Sequence, residues 1–108
     1  MPKSIVISKN KPDMIKMQGV EFFIDEEILD GVRSKIGALD GNILPGILDP
    51  QSDFSIYPGD MNKLHEEISD LLTSTKEWNY LECIFLCSLE GFCVTCIRTE
   101  SALYGFAD

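Results

Sequence analysis

The chain predicts an α+β fold in a single small domain. It comprises an N-terminal β-hairpin, two amphipathic helices and a buried apolar C-terminal segment that ends in a short strand. Three observations carry this expectation. Apolar residues alternate near the N-terminus, as half-buried strands require, and recur at helical spacing in two later stretches. The whole is 108 residues, 44% apolar and 25% charged, which suits one hydrophobic core rather than a disordered chain.

Ser4 to Ser8 reads as a strand centred on Ile5, Val6 and Ile7. Lys9-Asn10-Lys11-Pro12-Asp13 has turn composition, and an extended pattern resumes from Met14 to Ile24, with Gly19 marking a bulge or bend. Helical spacing begins at Asp25, a suitable N-cap. Glu26 and Glu27 bring negative charge to the positive end of the helix dipole, and Ile24 with Leu29 fits a hydrophobic staple. Ile28, Leu29, Val32 and Ile36 then share a face, and Gly37 offers a stop.

From Ala38 to Gly59 no period is sustained, because prolines 45, 50 and 58 and glycines 41, 46 and 59 interrupt it. The expectation there is a long connection that packs down, with a short strand at Phe54 to Tyr57. The second helix runs from about Asp60 to Thr73. Met61, Leu64, Ile68, Leu71 and Leu72 face inward, while Glu66, Glu67 and Asp70 lie on a solvated face. After it, Trp78, Leu81, Phe85, Leu89 and Phe92 have helical spacing, yet Val94, Thr95, Ile97 and Thr99 prefer strands. A long helix from Trp78 to Cys96 and a hairpin turning at Leu89-Glu90-Gly91 both satisfy this pattern, and Ala102 to Phe106 closes the chain as a strand.

Charge narrows the partners. There are 18 acids against 9 bases, a net charge of −9. That disfavours nucleic acid and anionic membrane and favours a basic protein surface. The excess begins at Glu21 and continues to the end, whereas Lys3, Lys9, Lys11 and Lys16 make the N-terminus locally basic. Four lysines there are too few for a nucleic-acid face and are expected to keep an edge strand soluble. Glu82 and Glu90 interrupt the apolar run from Tyr80 to Ile97, so a buried core segment explains it better than a membrane span. With no signal peptide evident, the expected location is the cytoplasm.

The chemistry of cofactors and catalysis finds little support. Cys83, Cys87, Cys93 and Cys96 lie in the apolar run, where cysteine acts as a small hydrophobe. Five residues between Cys87 and Cys93 leave too little chain to wrap a structural zinc. His65 is the only histidine and is expected at the boundary of the second helix, so multi-histidine metal sites are excluded. A small enzyme or metal protein built on His65 and the cysteines is a third-ranked reading. The expected cofactor and metal complement is none.

One segment stands out. Asp49-Pro50-Gln51-Ser52-Asp53-Phe54-Ser55-Ile56-Tyr57-Pro58-Gly59-Asp60 places two aromatics and three acids on a proline-stiffened backbone and leads into an acidic helix. Aromatics among charges, held rigid, are the composition of a protein-recognition surface. The alternative is that Phe54, Ile56 and Tyr57 anchor the loop to the core. Asp49, Asp53, Tyr57, Asp60, Glu66 and Glu67 are the candidate partner-binding residues.

In size, in acidity and in the order of its later half, the chain resembles the small acidic immunity proteins of bacterial toxin–immunity systems, including contact-dependent growth inhibition. The features concerned are the loop ending Ile56-Tyr57-Pro58-Gly59-Asp60, the amphipathic helix, the tryptophan-led apolar segment and the terminal Ala102-Leu103-Tyr104-Gly105-Phe106-Ala107-Asp108. The resemblance implies a non-enzymatic protein that binds one cognate toxin domain, often a nuclease, and blocks it. The second-ranked reading is an acidic interaction or regulatory module that homodimerises through an exposed apolar face.

Overall fold

In the computed structural model, residues 3–8, 20–36, 43–74 and 77–107 are described. Strand β1 (Lys3–Ser8) pairs antiparallel with β2 (Val20–Ile24), as the N-terminal hairpin pattern requires. The expected turn at residues 9–13 and the stretch 14–19 lie outside the described residues. Helix α1 (Glu26–Ile36) follows with Leu29, Val32 and Ile36 buried and Glu26 and Glu27 in its first turn.

The first departure from expectation is α2 (Leu44–Leu48), a helix inside the stretch read as irregular. Pro45 and Gly46 look like breakers, but the first turn of a helix lacks internal N–H acceptors, so proline is tolerated there. Burial of Leu44, Ile47 and Leu48 holds this single turn in place. Strand β3 (Phe54–Ile56) and a 3₁₀ turn (Pro58–Asp60) then lead into α3 (Met61–Thr73), whose buried residues Met61, Leu64, Ile68 and Leu71 match the expected stripe.

The C-terminal ambiguity resolves as helix. Helix α4 runs unbroken over Tyr80–Thr99, so the hairpin at Leu89-Glu90-Gly91 does not form. A capping box starts it: Glu82 N–H donates to Asn79 Oδ1 at 2.8 Å, and Asn79 N–H donates to Glu82 Oε1 at 3.0 Å. At the other end Glu100 adopts a left-handed conformation, φ 53°, and lets the chain reverse into β4 (Ala102–Phe106). Propensity for strand in Val94, Thr95, Ile97 and Thr99 yields to this pair of caps and to core contacts of Phe85, Leu86, Leu89, Cys93 and Cys96.

The sheet has order β2-β1-β4-β3 with antiparallel neighbours throughout. Directly opposed residues share a face, so Ile5, Phe22 and Gly105 align, as do Ile7, Leu103 and Ile56. This face meets the helices, and Ile5, Ile56 and Leu103 join Leu29, Leu64, Ile68 and Leu86 in one core. Gly105 is required there, because a Cβ would collide with the Phe54 ring. Helix α4 is long and apolar enough by length and composition to cross a membrane, yet 39% of its apolar window is buried inside the fold.

Candidate functional site

Of the six residues singled out from the sequence, Asp49 lies at α2's exit, Asp53 and Tyr57 flank β3, Asp60 ends the 3₁₀ turn, and Glu66 and Glu67 lie on α3. The structure divides them. Asp49 ends α2 and turns its carboxylate onto its own loop, accepting Gln51 N–H at 2.9 Å and the Ser52 hydroxyl at 2.9 Å. Those two donors, with Arg33 and Lys3 nearby, outweigh burial and hold its carboxyl below the usual range. Asp53 is exposed but accepts Ala107 N–H at 2.8 Å, which ties the loop to the end of the chain.

Glu67 is the correction. Expected on a solvated face, it is half-buried and serves α2: Ile43 N–H donates to both its oxygens, at 2.9 and 3.1 Å, and Leu44 N–H to Oε1 at 3.2 Å. A carboxylate at the positive end of α2 satisfies donors that the short helix cannot. Glu67 is therefore committed to the fold.

Tyr57, Asp60 and Glu66 remain facing outward. Tyr57 is 55% exposed and rests edge-on against Tyr104, ring centroids 6.3 Å apart. Asp60 occupies the N-cap position of α3 without a side-chain cap bond, and its carboxylate is exposed. Glu66 shares the solvent face of α3 with Asn62, Lys63 and Asp70. Phe54 and Ile56 anchor the segment instead, Ile56 buried and Phe54 half-buried. The anchoring reading thus holds for Phe54 and Ile56 and fails for Tyr57.

The backbone beneath this surface is stiffened by Lys3, which is 1% exposed. Its Nζ donates to the carbonyls of Gly46, Ile47 and Asp49 at 3.2, 2.9 and 2.7 Å, and lies 4.7 Å from the centre of the Phe54 ring. The expectation of a solvated edge lysine fails here, since β1 is a central strand and the ammonium caps the carbonyl end of α2. Burial pulls the Lys3 pKa down to about 8, against the pull of Asp49 and Asp53.

A second polar cluster joins α1 to α4. Glu82, almost fully buried, pairs with Lys35 and completes the Asn79 capping box. Burial pushes its carboxyl up, but the Lys35 ammonium and Asn79 N–H together bring it below the usual range. A Cβ at Gly31 would meet this carboxylate, so a side chain there would push it away from Lys35 and Asn79. A cleft of about 220 Å³ lined by Glu27, Ile28, Gly31, Asn79, Leu81 and Glu82 opens beside the pair. The spacing Asn79-x-x-Glu82 carried a legible signal for this cap; Lys3 carried none.

The cysteines split in the same way. Cys93 and Cys96 are core residues, as expected, and burial pushes their thiols up to about 12 and about 11. Cys83 and Cys87 are exposed on the opposite side of α4, where core packing does not account for them. His65 is half-buried on α3. Among the described residues no group of three His, Cys, Asp or Glu is placed to hold a metal ion. In comparison with known proteins, no family model, curated protein or solved structure matches the chain.

Proposed function

We propose that this chain is a non-catalytic cytoplasmic binding protein that neutralises a cognate bacterial toxin domain by covering its basic active or substrate-binding surface. The observation that carries this reading is the surface at the β3–α3 junction. There an exposed tyrosine is followed by the exposed acids Asp60 and Glu66, which make no side-chain hydrogen bond or ion pair among the described residues, on a backbone pinned by Lys3, Asp49 and Asp53.

The support is physical. A rigid aromatic gives contact area at small entropic cost, and acids that are not committed within the fold can meet basic groups of a partner. A net charge of −9 speeds encounter with a cationic surface such as a nuclease's phosphate groove. Tyr57, Asp60 and Glu66 form the contact, with Asp53 at its edge; Asp49 and Glu67 hold the scaffold.

The test is binding to the toxin domain encoded next to this gene. Reversing Asp60 and Glu66 together to lysine should slow association by at least about tenfold at low salt, the difference shrinking as salt rises. Thermal unfolding of the variant should show at most the loss of about 1 kcal/mol expected for a lysine at the N-terminus of α3. Unchanged association and affinity would remove this surface from the proposal.

A further inference from the structure

We propose that α4 is the dimerisation helix of this protein, pairing antiparallel with α4 of a second copy through its outward face. Of the seven large hydrophobic residues exposed among the described residues, five lie on this helix: Tyr80, Leu81, Ile84, Val94 and Ile97. Scattered apolar residues need no explanation, but three of these, Tyr80, Ile84 and Val94, fall in an order, with Leu81 and Ile97 on its flanks. Tyr80, Ile84, Cys87, Gly91, Val94 and Arg98 succeed one another at intervals of four, three, four, three and four residues. Alternating fours and threes are the seam of a coiled coil, with residues at the a and d positions of a heptad. The opposite side of α4 already fills the core with Phe85, Leu86, Leu89, Cys93 and Cys96. Among the described residues Tyr80, Ile84 and Val94 stay 79%, 46% and 39% exposed, which leaves the seam open to a partner.

Charge identifies the occupant. The chain carries 18 acids, yet none falls on this seam, whose one charged residue is Arg98. An acid-free strip is what two copies of a strongly acidic protein need in order to touch. A parallel pair would set Arg98 against Arg98 of the partner subunit, two like charges in one layer. An antiparallel two-fold pair centred between Cys87 and Gly91 mixes a with d positions instead. It places Ile84 against Val94 of the partner subunit, Cys87 against Gly91 of the partner subunit, and Arg98 over the ring of Tyr80 of the partner subunit. Each of these contacts occurs twice, as an isologous interface requires. The ends gain a cation–π contact, and the small residues at the centre let the axes approach closely. A Cβ added at Gly91 meets nothing within 4 Å in the single copy, so no contact among the described residues demands glycine there.

This dimer uses a face separate from Tyr57, Asp60 and Glu66 and stands independently of toxin binding. Sedimentation equilibrium of the full chain over a wide concentration series should show a species of twice 12.1 kDa. Ile84→Asp, at a position already 46% exposed, should raise the dimer dissociation constant by at least about tenfold with unchanged circular dichroism and melting in the monomer. Gly91→Cys should give a covalent dimer on mild oxidation that disappears when Cys87→Ser is added. A link that survives Cys87→Ser would establish parallel pairing and overturn the arrangement. So would a chain that stays monomeric throughout, or a dimer untouched by both Ile84→Asp and Val94→Asp. Binding of the parent chain to phosphatidylcholine–phosphatidylglycerol vesicles through α4 would assign the seam to lipid and overturn it equally.

Discussion

Glu67 reaches 24 positions back along the chain to hold Ile43, accepting its N–H on both carboxylate oxygens at 2.9 and 3.1 Å. Through this contact α3 fixes the start of α2, and α2 in turn offers its last carbonyls to Lys3. One short helix is thus clamped at both ends by charged side chains from other elements. Glu67→Ala should cost about 2 kcal/mol in urea unfolding, the range for a lost cap with a charged acceptor. Its effect on toxin association, by contrast, should be smaller than that of reversing Asp60 and Glu66. A variant as stable as the parent would show that α2 needs no cap.

Lys3→Met keeps the length of the stem and removes the ammonium from three carbonyls and the Phe54 ring. The loss should be about 2–3 kcal/mol at neutral pH. The pH dependence has a definite sign. Folded Lys3 titrates near 8 and the unfolded residue near 10.5, so between these values the unfolded chain holds more protons and this group adds stability as pH rises. The parent should therefore gain on Lys3→Met by up to about 1.4 kcal/mol per pH unit across that window. A constant gap between the two denaturation curves would contradict the lowered value.

Cys93 and Cys96 act in the opposite sense. In the fold their thiols stay protonated to about 12 and about 11, whereas unfolded thiols ionise near 9. Their contribution is complete below pH 9 and is lost above it, at up to about 1.4 kcal/mol per unit for each thiol. Replacing both by alanine should lower stability at neutral pH and flatten the alkaline decline. Thiol titration of the monomeric Ile84→Asp chain should find two accessible groups, Cys83 and Cys87, and two that react only on unfolding, whereas dimerisation of the parent should shield Cys87.

The sequence was most legible where one element controls its own period. The stripe Met61, Leu64, Ile68 and Leu71 follows from spacing alone, and β1 from its β-branched run Ile5-Val6-Ile7. It was least legible where a residue's partner lies far along the chain. Glu67 reads as one of a solvated acidic pair because its acceptors' donors sit 24 residues away. Lys3 reads as a soluble-edge lysine because its carbonyl cage is more than 40 residues distant. The same holds for α2, which five residues with proline and glycine cannot announce but three buried side chains can hold. The outward seam of α4 was hidden in the run of core residues that shares the helix. Of the candidate site, Asp60 and Glu66 were readable as surface groups from composition, whereas the sequence left Tyr57 open between surface and anchor, and its 55% exposure places it outward.

The pair of Lys35 and Glu82 joins α1 to the start of α4 and contributes, with Asp49, to the behaviour of the fold in acid. Two roles of Glu82 can be separated. Glutamine keeps the capping box, since its side-chain oxygen can still accept Asn79 N–H, but it carries no charge for Lys35. Glu82→Gln should therefore cost about 1–2 kcal/mol at neutral pH, that of a charge-assisted bond with one partly exposed partner. Because the folded carboxyl lies below its ordinary 4.5, this stability is present above that value and is lost as pH falls through the folded one. Parent and Glu82→Gln curves should accordingly converge in acid, and curves that stay parallel would place the stabilisation elsewhere. Gly31→Ala tests the same contact from the other helix. Its Cβ must displace the Glu82 carboxylate, so the loss should exceed that of Glu82→Gln, even though alanine favours the helix by about 1 kcal/mol over glycine. If the net effect were stabilising, the carboxylate would have room to move, and Gly31 would not be what holds it against Lys35 and Asn79.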